Sequence, residues 1–389
     1  MTKLICVTAD NNNKYYYMTD LGNGTFEVKY GRIGASETVL NYPMSQWDKK
    51  YNEKLKKGYI DVTSTLKEVV VQKNLNILDK DVKELIDFLM KCAKQSIKNN
   101  YEIALEDVTQ AQIDTVQELL DKLYAWGENK TPATIMNEQL RLVYTTIPRK
   151  MYDTRKFFLN DNYDTQYLVE LLQEEQNRLN TLKSQVNIVK PQTTNEEITL
   201  NTLGFSCEVA SDADRDLIRK MTDFKLTNHK VFKISNKETE AAFNPNKLKT
   251  RLLYHGSRNE NFLSILQTGL KIRPKGVATT GSMFGDGIYA ANKARKSIGY
   301  TSLRGSYWAS GSSNKAYLAI FEFATGKEYE VLKNQSYSYW MGNLDEAKVK
   351  AKGCDSVFAQ GGADLRNDEY IVYNSNQCTI RYLIEITEK

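Results

Sequence analysis

Apolar and polar positions follow three different rhythms along the 389-residue chain. The first 72 residues have a short period. The string K-Y-Y-Y-M-T-D predicts a strand, L-G-N-G-T a turn, and F-E-V-K-Y a second strand. Gly31 and Gly34 bracket a further turn before E-T-V-L. A helix is predicted over Ser45 to Lys57, with Ser45 as its N-cap and Trp47, Tyr51 and Leu55 four residues apart on one face.

From 73 to 190 the rhythm becomes helical. Leu78, Val82, Leu85, Ile86 and Leu89 form one buried stripe, and Ile113, Val116, Leu119, Leu120 and Leu123 form another. Thr131-Pro132 reads as an N-cap followed by proline at the first helical position. A long helix is predicted over Gln166 to Val186, with Leu168, Leu171, Leu172, Leu179 and Leu182 inward. The polar string K-P-Q-T-T-N-E-E, from Lys190, predicts a linker or exposed loop. Beyond about 200 strands return, as H-K-V-F-K-I, R-L-L-Y-H, A-Y-L-A-I-F-E-F, E-Y-I-V-Y and I-R-Y-L-I-E-I. One clear helix is expected there, near Asn261, with Phe262, Ile265 and Leu266 apolar. The expected class is α+β and multidomain: a small β-rich domain (1–72), an all-α bundle (73–190) and an antiparallel-sheet domain (191–389).

Composition narrows the function classes. No stretch is apolar for long enough to span a membrane, and the start, M-T-K-L-I-C-V-T-A-D, is too short an apolar run for a signal peptide. Five scattered cysteines and two histidines form no metal-ligand spacing, so no metal is expected. The cysteines read as reduced thiols of an intracellular protein. A net charge of +5 permits a nucleic-acid partner without requiring one.

The candidate chemistry lies near the C-terminus. His255 stands in R-L-L-Y-H-G-S-R, Tyr289 in G-D-G-I-Y-A-A and Glu369 in N-D-E-Y-I-V-Y. Each alone is ordinary: a histidine in a strand, a tyrosine in a buried run, a carboxylate at a strand edge. Their company with Gly256, Gly281, Gly285 and Gly287 changes the reading, because glycine lets a ligand approach backbone N–H and C=O groups. Neither a Rossmann nor a P-loop string occurs. His229 matches no motif and is read as structural.

Four strings in this order, R-L-L-Y-H-G-S-R, G-S-M-F-G-D-G-I-Y-A-A, R-K-S-I-G-Y and N-D-E-Y-I-V-Y, resemble the catalytic domain of the poly(ADP-ribose) polymerases, including its His-Tyr-Glu triad. K-Y-G-R-I-G resembles the signature of that family's WGR domain, and Y-E-I-A-L and Y-T-T-I-P resemble its helical regulatory domain. The resemblance implies an ADP-ribosyltransferase of the DNA-dependent branch, without that branch's zinc fingers, taking NAD+ as donor and needing no metal. It implies DNA breaks or nicks as partner through the WGR-like domain, and acceptor proteins that include the chain itself.

By the same resemblance His255 would hold the adenosine ribose. Gly256 would pair its backbone with the nicotinamide carboxamide, Ser297 would add a third bond, and Tyr289 and Tyr300 would stack on the ring. Ser257 and Gly281 would also line the donor site. Asn261 and Lys271 would lie along the adenosine and phosphates, and Glu369 would bond the 2′-hydroxyl of the nicotinamide ribose. Tyr30 and Arg32 would meet nucleic acid. Residues 1–66 hold nine basic and seven acidic side chains, so DNA binding there rests on the resemblance rather than on charge. The basic run W-D-K-K-Y-N-E-K-L-K-K fits a phosphate-facing surface or a localisation signal, and more commonly a solvated helix face.

Three departures bear on function. Tyr30 replaces a tryptophan, Asp286 stands where many relatives carry lysine, and the 352–368 segment is shorter than the acceptor-side loop of the DNA-dependent members. Two other readings compete with a transferase. One is a catalytically weak module that binds DNA ends or ADP-ribose. The other is an NAD glycohydrolase, with water in place of the acceptor.

Overall fold

The computed structural model describes residues 1–63, 75–103, 105–128, 131–189, 198–223, 229–272, 283–332, 344–362 and 365–388. The expected linker at 190–197 lies outside them. Two compact units are present, Met1–Gln72 with Gln95–Lys190, and Lys73–Lys94 with Pro191–Lys389. Among the described residues no helix is long and apolar enough to cross a membrane.

In the first unit β1 (Thr2–Thr8), β2 (Asn12–Asp20), β3 (Thr25–Arg32), β4 (Glu37–Pro43) and β5 (Ile60–Asp61) form an antiparallel sheet in the order β4-β3-β2-β1-β5. Leu4, Tyr16, Met18, Phe26 and Val28 make its core. The helix Trp47–Lys56 covers them with Trp47, which meets Phe26 edge-on at 5.0 Å, and with Tyr51. Ser45 is not its cap. It lies in a 3-10 turn, Met44–Gln46, and Gln46 precedes the helix without a side-chain cap. Leu55 is 38% exposed, because the stripe leaves the sheet by the last turn.

Helices Gln110–Glu128, Ala133–Thr146 and Thr165–Val189 complete this unit. The inward apolar residues of the first and third are buried as their spacing predicts. Pro132 is itself the cap residue and Ala133 the first helical one. The Thr131 hydroxyl instead donates back to the Trp126 carbonyl at 3.0 Å.

Arg149 ties the unit together. Its guanidinium is buried and donates to Asn100 O at 2.9 Å and to Glu175 Oε1 at 3.2 Å, over the Tyr101 ring. Arg178 adds a second cation to Glu175 at 2.7 Å. Asn13 of β2 donates to the Arg149 carbonyl at 2.9 Å, joining sheet to helices.

Among the described residues the second unit has two sheets. β6 (Phe205–Val209), β7 (Val231–Asn236), β8 (Thr250–Gly256), β9 (Ile288–Ala290), β10 (Lys315–Ala324), β11 (Glu328–Val331), β12 (Ser356–Ala359), β13 (Glu369–Val372) and β14 (Cys378–Thr387) pair as β6-β7-β14-β10-β8 and β11-β12-β13-β9. All the pairings are antiparallel except β11 with β12. The predicted helix near Asn261 runs Asn259–Thr268. Short helices Asp212–Met221, Lys237–Ala242, Ala294–Ile298 and Glu346–Ala351 are additional to it. Asp212–Met221 escapes periodicity because it buries only Ile218; its signal is the Ser211–Asp214 capping box.

Residues 73–94, expected with the helical region, belong to this second unit. The helix Lys80–Asn100 starts there. Val82, Leu85, Ile86 and Leu89 are buried, Phe88 meets Tyr317 at 5.8 Å, and Asp81 and Glu84 both bind Lys230 at 2.7 Å. Leu78 precedes the helix and is 95% exposed, so it leaves the predicted stripe.

Removing one partner of a buried ion pair strands the other charge. Glu175→Gln, facing Arg149 and Arg178, should therefore lower the unfolding free energy by about 3 kcal/mol. Urea titration measures it, and a loss under about 1 kcal/mol would mean the pair is not a stabilising tie.

Candidate active site

The site forms where the two sheets of the second unit meet. Tyr254 N donates to Ala291 O at 2.8 Å and Ala291 N to Tyr254 O at 3.0 Å, so the end of β8 joins the chain just after β9. This sets His255 beside Tyr289. The imidazole Nδ1 lies 3.0 Å from the Tyr289 carbonyl oxygen, and the ring meets Phe321 edge-on. A carbonyl can only accept, so Nδ1 carries the proton and Nε2 of the neutral ring is an acceptor. Burial lowers the His255 pKa, while the hydrogen bond to Tyr289 opposes the fall.

Tyr289 pairs across β9 and β13 with Ile371. Its hydroxyl accepts from Phe284 N at 3.0 Å and donates to Gly285 O at 2.8 Å, pinning the turn before β9. Gly285 has φ +84°, and a β-carbon there would fall 2.0 Å from the Leu344 carbonyl oxygen. Only glycine suits that turn. Gly256 is as constrained: its β-carbon would lie 1.8 Å from the Ser297 carbonyl oxygen. Ser297 is buried in the helix Ala294–Ile298 and donates to Tyr254 O at 3.0 Å. Its proton is spent there, which leaves the hydroxyl a lone-pair acceptor.

Glu369 opens β13, opposite Ala359 of β12, and is buried. The Lys296 ammonium donates to its Oε1. Burial pulls Lys296 down to about 8, against the opposing charge of Asp368. Asp368 in turn accepts from the Asn292 side chain and from Gly361 N, both at 2.9 Å.

The remaining predicted residues divide. Tyr300, just after the same short helix, is 40% exposed. Asn261 Nδ2 donates to Ser257 Oγ at 3.2 Å, so these two stand together. Lys271 is exposed beyond the C-terminal Gly269 of the helix Asn259–Thr268. Gly281 lies outside the described residues.

Tyr30 and Arg32 sit on β3 in the first unit. Tyr30 packs on Tyr16 at 5.9 Å, and the Lys54 ammonium lies 5.7 Å from its ring. Arg32 donates to Asn11 O at 2.7 Å, Asn11 Oδ1 at 2.8 Å and Tyr152 O at 2.7 Å. Much of its donor fork is thus committed within the protein.

In the sequence Lys296 is one letter of R-K-S-I-G-Y, and no role is read there for it, for Asp368 or for Asn292. Lys296 and Glu369 are 73 positions apart, and periodicity carries no signal across that distance. R-K-S and D-E-Y were visible as charged flanks of two motif strings, the one clue available.

A buried carboxylate held by a lysine, a neutral histidine and glycine-lined backbone in a two-sheet α+β unit suits a nucleotide donor. The family model for the poly(ADP-ribose) polymerase catalytic domain matches residues 215–388. The chain is 36% identical over 146 residues to putative poly [ADP-ribose] polymerase-like 100L of Invertebrate iridescent virus 6, covering 36% of this chain and 72% of that protein. It is 35% identical over 219 residues to uncharacterized protein 101L of the same virus, covering 56% and 92%. Human poly [ADP-ribose] polymerase 2 is 30% identical over 190 residues, which covers 42% of this chain and 31% of that protein. The protein is an NAD+-dependent ADP-ribosyltransferase. Within that class it belongs to the poly(ADP-ribose) polymerase family.

Lys296→Met leaves the Glu369 carboxylate buried without its cation and should lower stability by about 3 kcal/mol. Adding Glu369→Gln should recover most of that loss in the same urea titration. A double variant no more stable than Lys296→Met would show that Lys296 supports something other than the carboxylate.

Proposed function

We propose that this site holds NAD+ with its nicotinamide at Gly256, Ser297, Tyr289 and Tyr300 and its adenosine side towards His255, Ser257, Asn261 and Lys271. The observation that carries the reading is the buried, ion-paired Glu369 in the sheet that also carries Tyr289. Gly256 can offer N–H and C=O to a carboxamide because nothing projects from its α-carbon. Ser297 adds an acceptor for the amide N–H. The Nε2 of His255 accepts a ribose hydroxyl.

Transfer breaks the bond between the ribose anomeric carbon and nicotinamide. The bonding pair leaves with the ring nitrogen, which loses its positive charge, so no general acid is needed. Positive charge grows on the sugar as in glycoside cleavage, and a carboxylate beside the 2′-hydroxyl stabilises it more than the ground state. The acceptor nucleophile then bonds that carbon and gives up a proton, for which Glu369 is the base. With Lys296 on Oε1, Oε2 is the oxygen left for the substrate.

The acceptors on this reading are protein side chains, the chain's own included, and the product is mono- or poly(ADP-ribose). Residues 1–72 form a WGR-like module that engages DNA breaks, and the helices that follow form a regulatory region that restrains NAD+ use until it does so. Arg32 supports such coupling, since its fork bonds both the turn before β2 and the Tyr152 carbonyl within one unit. A ligand that favours the released state shifts the balance towards activity. Intracellular location, nuclear in a eukaryotic cell, follows from DNA as partner.

Incubation with labelled NAD+, with and without nicked DNA, tests this. Labelled protein is expected, more of it with DNA, and its size on a gel separates single units from chains. Glu369→Gln should lower transfer by about a hundredfold or more. Label released only as free ADP-ribose would mark a glycohydrolase, and no product under any condition would sink the enzymatic reading.

Because burial lowers its pKa, His255 stays neutral to more acid pH than a solvent histidine. Its acceptor nitrogen is lost only as pH falls through that depressed value. The KM for NAD+ should therefore show no inflection at about pH 6.5, the ordinary histidine value. A rise centred there that vanishes in His255→Asn would overturn this.

A further inference from the structure

Between the helix Ala294–Ile298 and β10, the chain turns two large aromatic side chains to solvent. Tyr307 is 79% and Trp308 65% exposed. The loop that carries them is tightly bonded. Trp308 N and Ala309 N both donate to Gly299 O, at 3.1 and 3.3 Å. Arg304 N donates to Ser313 O at 2.8 Å, Ser313 N to Ser302 O at 2.9 Å, and Ser306 Oγ to Ile298 O at 2.9 Å. At Gly311 a β-carbon would fall 2.0 Å from the Leu303 carbonyl oxygen. A loop this firmly held presents its indole in a set orientation.

That orientation is parallel to Tyr300. The two rings are stacked at 14°, with centroids 6.1 Å apart, and Tyr307 meets the indole edge-on at 4.8 Å and 87°. Tyr300 follows a helix of five residues and is itself 40% exposed. Without a neighbouring ring its phenol would be free to change rotamer, and a stacking platform that moves binds its ligand less well. An offset aromatic pair restrains it.

We propose that Trp308 is a positioning residue for NAD+: its indole, propped by Tyr307 and anchored through Gly299, holds the plane of Tyr300 so that the phenol is ready to stack on nicotinamide. This rests on the reading of Tyr300 as a nicotinamide platform. Trp308 acts through Tyr300 and not on the reacting atoms, so its effect belongs to donor binding rather than to bond cleavage.

The test compares wild type, Trp308→Ala and Trp308→Phe in the full chain. The KM for NAD+ should rise about three- to tenfold in Trp308→Ala, the scale of one aromatic pair, while kcat stays within about twofold. Trp308→Phe keeps a ring and should bring KM back to within about twofold of wild type. Nicotinamide binding measured by calorimetry should weaken in Trp308→Ala by the same factor as KM. An unchanged KM and nicotinamide affinity in Trp308→Ala, a loss confined to kcat, or an equal defect in both variants would overturn the proposal. A wild type that binds nicotinamide but transfers nothing would count against the function proposed above. The calorimetric comparison would then still decide the role of Trp308.

Discussion

The two backbone hydrogen bonds between Tyr254 and Ala291 are what the site depends on. They join the sheet that contains β8 to the sheet that contains β9, β12 and β13. Because of that join, the residue after Tyr254, His255, lies against the carbonyl of Tyr289. The carbonyl fixes the imidazole tautomer, and the enclosure that the join creates keeps the ring neutral. Ser297 donates to the carbonyl of the same Tyr254, so the short helix that carries Lys296 is registered to the junction as well.

Charge around the site is organised by Lys296. It pairs with a buried carboxylate and feels a second, Asp368, whose own oxygens are held by Asn292 and Gly361. Such an arrangement holds Glu369 through one of its two oxygens. It also explains how a carboxylate can be retained in a mostly buried place, where an unpaired charge would be costly. On the proposed placement of NAD+, the carboxylate stands where positive charge grows as nicotinamide departs.

The first unit is held by a different device. Arg149 and Glu175 form a buried ion pair, to which the partly exposed Arg178 adds a second cation, with Asn13 bonded to the Arg149 backbone. Arg32 makes a parallel tie from β3 to Tyr152. Both ties use a guanidinium fork to satisfy several carbonyl or carboxylate oxygens at once, which a lysine could not do. A disturbance of this sheet therefore has a polar route to the helices of its own unit.

Sequence by itself determined most of the strands and the long helices, because each is written in a local pattern. The string K-Y-Y-Y-M-T-D, which β2 carries from Lys14 to Asp20, is an example of the first kind, and the leucines of Thr165–Val189 are an example of the second. It also named His255, Tyr289 and Glu369 through four short strings read together. It missed the short helix Asp212–Met221, which buries a single side chain, and misplaced Ser45 and Leu78 by reading periodicity past the point where a turn begins. Only the tertiary structure decided that Lys296 answers Glu369, that Arg32 bonds Asn11 and Tyr152, and that Trp308 stacks on Tyr300. The Lys296 and Arg32 contacts join residues remote in sequence, and the Trp308 stack depends on the bonded path of one loop. Such contacts follow from sheet register and chain path, and no local pattern records either.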